Sequence, residues 1–523
     1  MEKKTAEIDN LTEGLDTFIT PTEISDGATP DCLNVIPMGK GAIKTRLGRS
    51  KRGGEITSGY GGQADLTYIN SSGAIEELVV SNGVLKRKNG NNWDTISGVT
   101  FDTTERVFAA QLGDRLYFAD GVTSLCYYNG TAIASSGISG APKPSIVIKY
   151  NQRLYCNDVA NPDRIYFGGA LTGTGTAENT GNFASSSPAW GGYLGFGKGK
   201  EISAMAKLGT NYLVVGLKDS IHRIYPTSGT GDTSALDHAE EMISNSVGMA
   251  NHATVDNIEN DLGFLSWGDV YLLGEVASYS SIRTRVISTK ISTDLQNITD
   301  ISKACAIFSP SEKKYYLAYT DGSTYNNKVL VYDTYYKSWW RFSNWYPAAF
   351  KEFVDASNER HLTYVSDLST ENYVYELNTT ANDDGAAINW YWKSKVLDLK
   401  GFDIPKKFKR WVTRFGEVFG VMTVKIYIDG ELNTSTFQLG SAGGSAGMGS
   451  VVMGRVPMGQ DDNGLTVVSV TNDYRYKKIA RPNEGTMIQM EFSGGGVGEA
   501  GQIEKFKLYY NENDKKKDRT KKI

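Results

Sequence analysis

A glycine- and lysine-containing stretch near the N-terminus comes closest in composition to a phosphate-binding loop. It reads NVIPMGKGAIKTRLG, residues 34–48. A P-loop needs a lysine directly after its last glycine and a serine or threonine directly after that lysine, so that backbone amides and ammonium meet one phosphate. Here Ala42 and Ile43 separate Gly41 from Lys44. The spacing is wrong for a nucleotide site and favours a hairpin whose turn is MGKG.

Histidine is the side chain used most often for acid–base chemistry and metal binding, and it occurs only four times. The four residues are His222, His238, His252 and His361. None has a second histidine at HxH or HxxxH spacing, and the sequence contains no GxSxG nucleophile turn. The sequence therefore indicates neither a metalloenzyme nor a serine hydrolase.

Paired carboxylates are the groups that a glycoside hydrolase uses for catalysis. Adjacent acidic residues include Asp383–Asp384, Asp461–Asp462 and Glu240–Glu241, and Asp237 adjoins His238. The aspartate pairs lie in Asn- and Gly-containing turns, where such side chains cap their own backbone. The glutamates lie in SALDHAEEMIS, for which the pattern predicts a short solvent-facing helix, and NGNNW (89–93) only resembles the tight turn of a sialidase Asp box. We therefore predict no catalytic, cofactor-binding or metal-binding residues, and a protein that is not an enzyme.

A dense aromatic cluster, SWWRFSNWY, spans residues 338–346. Exposed indoles of this kind stack sugars or bases, and Arg341 could then lie against Trp340 or Trp345. The alternative is that the rings close a strand pair and fill the wedge between neighbouring sheets, since large aromatics dominate core burial. The cluster lacks the dense lysine and arginine setting of a nucleic-acid platform, which favours the core interpretation.

The composition is typical of an all-β protein without a strong electrostatic field. The 523 residues include 57 Gly, 30 Tyr and 9 Trp, and the formal net charge is −4. A chain with this charge balance does not grip DNA or an anionic membrane tightly. The four cysteines form no CxxC motif, and we expect Cys126 and Cys156, in strand-like runs, to be small buried thiols. No signal peptide or bilayer-spanning apolar run is evident, so we expect a soluble chain.

Between residues 64 and 379 an apolar, aromatic-rich run, a polar turn and a second such run recur seven times. The copies are ELVVSNGVLKRKNGNNW, DRLYFADGVTSLCYYNG, QRLYCNDVANPDRIYFG, NYLVVGLKDSIHRIYP, DVYLLGEVASYSSIRTRVI, KYYLAYTDGSTYNNKVLVYDTYYKSWW and RHLTYVSDLSTENYVYEL. Starts roughly 40 to 60 residues apart suit four-stranded propeller blades. Each hairpin has an apolar face that only stacked neighbours can bury, which favours a ring of blades over the alternative of stacked β-sandwiches.

We therefore predict an all-β fold, a β-propeller with inserted loops plus a C-terminal β-sandwich or jelly-roll-like domain. The expected divisions are an N-terminal arm and closing hairpin (1–54), the propeller (55–382), the C-terminal domain (383–511) and a basic tail (512–523). The insertion GGALTGTGTAENTGNFASSSPAWGGYLGFGKGK is expected to project from the ring. The Gly- and Met-rich stretch 440–464 is a mobile loop or a surface that orders against a partner. The tail is a solvated run, with anion or partner binding as the alternative.

The segment DGATPDCLNVIPMGKGAIKTRLGRSKRG, residues 26–53, resembles the N-terminal signature of bacteriophage tail proteins of the nozzle or packaged-DNA stabilisation class, the tail tubular protein B-like family. The shared elements are an Asn-containing strand, a Pro-x-Gly turn and a basic strand ending in Arg-x-Gly. Here they are Asn34, Pro37, Gly39, Arg46 and Gly48. The runs DRLYFADG, KVLVYDTYYKSWWRF and FKLYY are also similar in texture to such proteins, so the resemblance of pattern spans most of the chain.

The resemblance implies a structural virion protein without catalytic residues. Such proteins form a ring, commonly a hexamer, below the portal and adaptor proteins of the head–tail connector. The ring prolongs the channel, retains packaged DNA and lets it pass on ejection, without sequence-specific binding. Tail fibres or spikes are further possible partners, and the expected location is the virion after assembly in the host bacterial cytoplasm. A mildly acidic chain suits such a conduit, because a cationic lining would add phosphate contacts.

Two other functions are compatible with a propeller. A carbohydrate-active or glycan-binding propeller would need carboxylates that converge at one end of the ring. A scaffold of the WD-repeat kind would need regular blade signatures, but the GH and WD dipeptides are missing at blade positions.

Overall fold

The computed structural model describes residues 4–136, 138–171, 183, 192–197, 199–209, 212–228, 237–276, 281–399, 401–433, 437–439, 469–470 and 473–512. Its N-terminal part supplies short strands to both halves of the molecule. These strands are β1 (Lys4–Ile8), β2 (Gly14–Leu15), β3 (Ala28–Thr29), β4 (Cys32–Leu33), β5 (Val35–Met38), β6 (Ala42–Thr45) and β7 (Arg49–Lys51).

Seven four-stranded antiparallel sheets follow among the described residues, and six of them are built from consecutive strands. Blades 1 to 3 are β8 (Gly62–Ile69), β9 (Ile75–Ser81), β10 (Val84–Asn89), β11 (Asn92–Thr95); β12 (Phe108–Leu112), β13 (Arg115–Ala119), β14 (Cys126–Tyr128), β15 (Ile133–Ala134); and β16 (Val147–Tyr150), β17 (Arg153–Asn157), β18 (Arg164–Phe167), β19 (Gly192–Gly195).

Blades 4 to 6 are β20 (Ile202–Leu208), β21 (Tyr212–Leu217), β22 (Ile221–Ser228), β23 (Asp237–Ser244); β24 (Asp256–Ile258), β25 (Asp261–Leu265), β26 (Val270–Val276), β27 (Ser281–Val286); and β28 (Cys305–Ser309), β29 (Lys314–Tyr319), β30 (Lys328–Asp333), β31 (Ser338–Phe342). Blade 7 has β32 (Pro347–Val354), β33 (Arg360–Ser366) and β34 (Val374–Leu377), with β7 as its fourth strand. Helix is confined to α1 (Ser292–Leu295) and the 3₁₀ turns Gly39–Gly41, His252–Thr254, Thr289–Ile291 and Ile301–Lys303 in the described part.

The ring closes because the first and last blades pack together and share chain from both ends. Inner strand β32 of blade 7 contacts inner strand β8 of blade 1, and the remaining neighbouring blades also contact one another. The outer edge of blade 7 is completed by β7, which pairs antiparallel with β34 from Arg49 opposite Leu377 to Lys51 opposite Tyr375. Each copy of the repeated pattern falls in one blade, so the predicted seven-copy propeller is confirmed.

The second strand of each blade is buried on both faces, because a blade has a neighbour on each side. In blade 6, five of the six residues of β29 are buried, and the same holds for β30. Tight turns join the strands, as at Asn82 and Gly83, whose φ angles of 52° and 70° give the left-handed two-residue turn that suits a hairpin. The sequence pattern predicted the blades from these same features, the apolar runs and the polar turns between them.

The C-terminal part is a β-sandwich, as predicted. One sheet has the order β40–β36–β44–β6–β5 with β1, β41 and β42 paired at its side, and the other has the order β38–β37–β43–β35–β4 with β39 beside β37. The new strands are β35 (Trp390–Lys393), β36 (Lys406–Phe419), β37 (Met422–Ile428), β38 (Glu431–Leu432), β39 (Phe437–Leu439), β40 (Ser469–Val470), β41 (Asp473–Lys478), β42 (Glu484–Gly485), β43 (Ile488–Gly494) and β44 (Ala500–Glu512). Phe492 of one sheet meets Trp411 and Phe506 of the other, with ring centroids 6.2 and 6.1 Å apart.

The N-terminal hairpin forms, and its second strand joins the sandwich. Strands β5 and β6 pair around the turn at Lys40, whose φ is 64°, and β6 then pairs with β44 of the sandwich rather than with the last blade. Ring closure is left to β7. Because β1 and β4 also join the sandwich sheets, residues 1–54 are divided between the sandwich and blade 7 and form no separate arm.

Two further expectations concern individual segments. The prediction of a helix in SALDHAEEMIS is wrong for its described part, since β23 pairs along β22 as the outer strand of blade 4. The periodicity of a short outer strand with one exposed face is hard to distinguish from that of a helix. The long insertion follows β18 of blade 3 and contains β19, the outer strand of that blade, and most of it is outside the described residues. Among the helices that the structure describes, none has the length and apolarity needed to cross a bilayer.

Substitution of Gly48 tests how closely the segment between the hairpin and β7 packs against the backbone of Asn382. A Cβ atom at Gly48 would lie 1.8 Å from the Asn382 carbonyl oxygen, whereas a Cβ at Gly39 would have no neighbour within 4 Å. We expect Gly48→Ala to lower the unfolding free energy by about 2 kcal/mol, because backbone on both sides must move. Gly39→Ala is the matched control and is expected to change it by less than about 0.5 kcal/mol in urea unfolding. Equal stability of the two variants would contradict the packing at Gly48.

Candidate functional site

A buried ion pair connects the two halves of the molecule. The Arg46 guanidinium, at the end of β6, donates to both carboxylate oxygens of Asp383, with N···O distances of 2.9 and 2.7 Å. Asp383 lies in the linker between blade 7 and the sandwich, and both side chains are 1% exposed. Bidentate pairs of this kind combine charge with a fixed orientation. We call this pair, with Asn34, Ser343 and Trp345 around it, the domain joint.

Every N–H of the Arg46 guanidinium has an acceptor. Besides Asp383, they reach the Asn34 side chain at 2.9 Å, the Leu47 carbonyl at 2.9 Å and the Ser343 carbonyl at 2.8 Å. The Trp345 ring lies below the guanidinium, 4.6 Å from its carbon. Full satisfaction matters because a buried charge is costly unless all its hydrogen-bonding groups are paired.

Asn34 ties a third segment into the domain joint. It accepts hydrogen bonds from Arg46 and from the Ser343 backbone N–H at 2.9 Å, and it donates to the Ser343 hydroxyl at 3.0 Å and the Asn389 carbonyl at 2.6 Å. Its own φ is 55°, a left-handed conformation that asparagine tolerates better than most residues. The Asn of the N-terminal signature thus bridges blade 6, the hairpin and the sandwich.

The aromatic cluster 338–346 belongs to this region and is not a surface platform. Trp339, Trp340 and Trp345 are 2% exposed or less. The Trp339 indole donates to the Ile287 carbonyl at 2.8 Å, and that of Trp345 donates to Asp383 at 3.4 Å. Arg341 pairs with Asp31 and Asp294 at 2.9 and 2.5 Å instead of stacking on an indole. The core interpretation is confirmed, with the rings packed against the N-terminal segment as well as the blades.

The centre of the propeller holds two cavities. The upper cavity, about 520 Å³, lies where the inner strands begin and includes Trp267, Lys218 and Glu201 in its wall. The lower cavity, about 630 Å³, continues along the inner strands and includes Asp65, Asp256 and Lys351. The two walls share six residues, and three of these, Arg106, Phe108 and His252, form what we call the partition.

The partition bars the axis of the ring. Phe108 of blade 2 meets His252 at the start of blade 5 with ring centroids 4.7 Å apart. Arg106 of blade 2 donates to the Ala304 carbonyl at 2.7 Å and to the Lys303 carbonyl, both before blade 6. These contacts join blades that are not neighbours in the ring. The propeller axis is therefore no open passage for a polymer.

The lower cavity contains charged groups on inner strands that are otherwise largely apolar. Asp65 accepts a hydrogen bond from the Thr363 hydroxyl at 2.7 Å, and Thr363 pairs across the strands of blade 7 with Lys351. Cross-strand partners share a face, so Lys351 also faces blade 1. The Lys351 ammonium has no hydrogen bond and no ion pair within 4.0 Å among the described residues.

Burial shifts the pKa values of four residues that line the lower cavity. It raises the pKa of Asp65 to about 7, although the Thr363 hydrogen bond opposes the shift. Burial likewise raises the pKa of Asp256, lowers that of Lys351 and lowers that of His252 to about 4. The surface that Lys351, Asp256 and His252 retain faces the cavity rather than bulk water, which is why desolvation dominates in each case.

The remaining histidines and acidic pairs have structural partners. His222 lies 2.5 Å from Glu240, and Glu241 pairs with Arg223 at 2.6 Å. His361 lies between Glu376 and Asp355, at 2.6 and 3.3 Å. Asp384 pairs with Lys51 at 3.1 Å. NGNNW is the turn between β10 and β11 of blade 1, and Asp461 with Asp462 lies outside the described residues, as do the Gly- and Met-rich stretch and residues 513–523.

One group among the described residues has ligand types suited to a metal ion. Its members, Asp355, Glu359 and His361, have ligand atoms within 4.8 Å of one another. Asp355 already accepts the backbone N–H groups of Ser357 and Glu359 at 2.9 and 2.8 Å, as a turn-capping aspartate does. The turn explains the cluster without an ion.

All four cysteines are buried and unpaired. The expectation for Cys126 and Cys156 is confirmed. Burial raises the pKa of the Cys32, Cys126 and Cys305 thiols to about 12, and that of Cys156 is raised as well. Thiols in this state are poor nucleophiles and metal ligands.

Sequence reasoning missed the lower cavity and the domain joint. The signal for the first is a charge inside an apolar strand pattern, as with Lys351 in PAAFKEFV and Asp65 in GQADLTYI. No local signal identifies the second, since Arg46 and Asp383 are 337 positions apart.

No protein-family model matches the sequence, and no curated protein matches it. Solved propeller structures do resemble it. YCF48 from Cyanidioschyzon merolae is 10% identical with a TM-score of 0.36, over 62% of this chain and 98% of that one. BBS1N, in complex with ARL6DN, is 13% identical with a TM-score of 0.39, over 64% and 99%. U3-55K is 10% identical with a TM-score of 0.38, over 64% and 95%. Likeness at this identity concerns the fold alone.

Substitution of Asp383 tests the domain joint. We expect Asp383→Asn to lower the unfolding free energy by about 3 kcal/mol, because the Arg46 charge stays buried without its counter-ion. Asp384→Asn is the matched control. Its carboxylate is half-exposed and pairs with the exposed Lys51, so a change within about 1 kcal/mol is expected. Equal losses in urea unfolding would contradict the special role of Asp383.

The pKa of Asp65 predicts a pH dependence of stability. Because the folded-state pKa is raised, its contribution is present below pH about 4 and is lost as the pH rises through about 7. We expect the unfolding free energy of the wild type, relative to Asp65→Asn, to fall between pH 4 and pH 8 by at most about 4 kcal/mol. Asparagine still accepts the Thr363 hydrogen bond. A difference that is constant with pH would contradict the shift.

Proposed function

We propose that this protein is a structural virion component, a subunit of a ring-shaped phage tail nozzle or stopper. In this role it extends the portal and adaptor channel, retains packaged DNA and lets it pass on ejection. The chain is not an enzyme in this proposal. A homo-hexamer, head–tail connector proteins and, at the periphery, tail fibres or spikes are the partners.

The observation that supports the proposal best is the position of the signature residues. Asn34 and Arg46, quoted for the resemblance, are the centre of the domain joint, and Gly48 packs against Asn382. A ring that holds DNA under pressure needs subunits whose domains do not shift against each other. In this proposal the signature residues serve to hold the two domains in a fixed orientation, as a structural subunit requires.

The partition decides where a DNA passage can lie. Because Arg106, Phe108 and His252 bar the propeller axis, DNA would pass between subunits and not through one. The mildly acidic chain, with a net charge of −4, suits a bore in which DNA slides, since each phosphate contact with a cation strengthens retention. The sandwich and inserted loops would supply contacts between subunits.

Electron microscopy of the purified protein tests the proposal. Negative-stain images at increasing protein concentration are expected to show sixfold rings with a central hole. A map of the assembled ring is expected to show few lysines and arginines along the bore. A compact monomer at every concentration would contradict self-assembly, and a bore lined with basic side chains would contradict the sliding conduit.

A further inference from the structure

The lower cavity has charged groups whose hydrogen-bonding capacity is not used within the protein. The Lys351 ammonium lacks a partner, and the buried Oε2 atom of Glu352 also lacks one among the described residues. Asp65 uses its Oδ2 atom for Thr363, and Asp256 accepts from the backbone of Phe308 and Asn257 at 2.8 Å each. An ammonium without a protein partner completes its hydrogen bonds only with what enters the cavity, so an occupant that offers acceptors would be favoured.

The signs of these charges limit which class of molecule can occupy the cavity. The Lys351 ammonium only donates, whereas the carboxylates of Asp65, Asp256 and Glu352 only accept once they are ionised, which for Asp65 means above pH about 7. An anion would satisfy the ammonium but face the carboxylates, and a cation would face the ammonium. A neutral hydroxyl accepts from the ammonium with its oxygen and donates its proton to a carboxylate. Several hydroxyls on one small molecule would bridge Lys351 to its acidic neighbours.

The rest of the wall suits such a molecule. Phe108, Phe350 and Phe353 line the same cavity and add apolar surface to its wall. Its volume of about 630 Å³ lies within the usual range for small-ligand pockets. Pro310 and Arg360, which also line it, are exposed, so the cavity reaches the surface. Arg360 pairs with Glu352 at 3.3 Å near this opening.

We propose that the lower cavity binds a small neutral polyhydroxyl compound, of the size of a monosaccharide, with its hydroxyl groups between Lys351 and the carboxylates of Asp65 and Asp256. Binding is reversible and involves no covalent step. The site is enclosed by one propeller and is independent of any assembly into rings.

Ligand-detected NMR with the full chain tests the proposal, using D-glucose, D-galactose and D-mannose as separate probes, with butyrate as an anionic probe and leucine as a zwitterionic one. We expect saturable binding of at least one hexose in the millimolar range. Lys351→Met should weaken it by at least about tenfold, because a charge-assisted hydrogen bond is lost. Lys40→Met, in the hairpin turn of the sandwich, is the matched control and should bind as the wild type does.

A second variant separates binding from folding. Asp65→Asn keeps the acceptor for Thr363 but loses the charge that Asp65 carries above pH about 7. We expect it to weaken hexose binding at pH 8 while its circular dichroism stays that of the wild type. If the Lys351 variant unfolds, the Asp65 variant carries the test alone. No hexose binding by the wild type up to about 100 mM would overturn the proposal. So would undiminished binding by both variants, or binding of butyrate or leucine without any hexose.

Discussion

The buried pair of Arg46 and Asp383 is the interaction on which the rest of the structure depends. It joins the end of the sandwich hairpin to the linker that leaves the last blade, with both charges 1% exposed. Immediately after Arg46 the chain enters β7 and completes blade 7. The same few residues therefore close the propeller and fix the sandwich against it, so neither half can move without disturbing a buried charge.

Closure of the ring and closure of its axis are separate properties of this fold. The ring is closed by β7, an N-terminal strand that completes blade 7, and by the packing of β32 of blade 7 on β8 of blade 1. Closure of the axis comes from side chains of the partition, which connect blades across the ring. The first makes the propeller cooperative, and the second converts its centre into two cavities. A propeller of this kind is a closed unit with internal cavities rather than a tube.

The parts of the fold that depend on local pattern were predictable from the sequence. Each blade has its own turn and apolar run, so all seven could be counted, and the sandwich followed from alternation in MTVKIYI. The partner of the 34–48 hairpin could not be predicted, because pairing of β6 with β44 joins residues more than 450 positions apart. Lys351 was also missed, since its meaning depends on Asp65 from another blade, which only the closed ring brings near.

Differential scanning calorimetry of the wild type and Arg46→Met tests most directly whether the domain joint makes propeller and sandwich one unit. The account predicts a single transition for the wild type, with equal calorimetric and van 't Hoff enthalpies. For the variant it predicts two separated transitions, one for each half. Two transitions in the wild type, or an unchanged single transition in the variant, would contradict it.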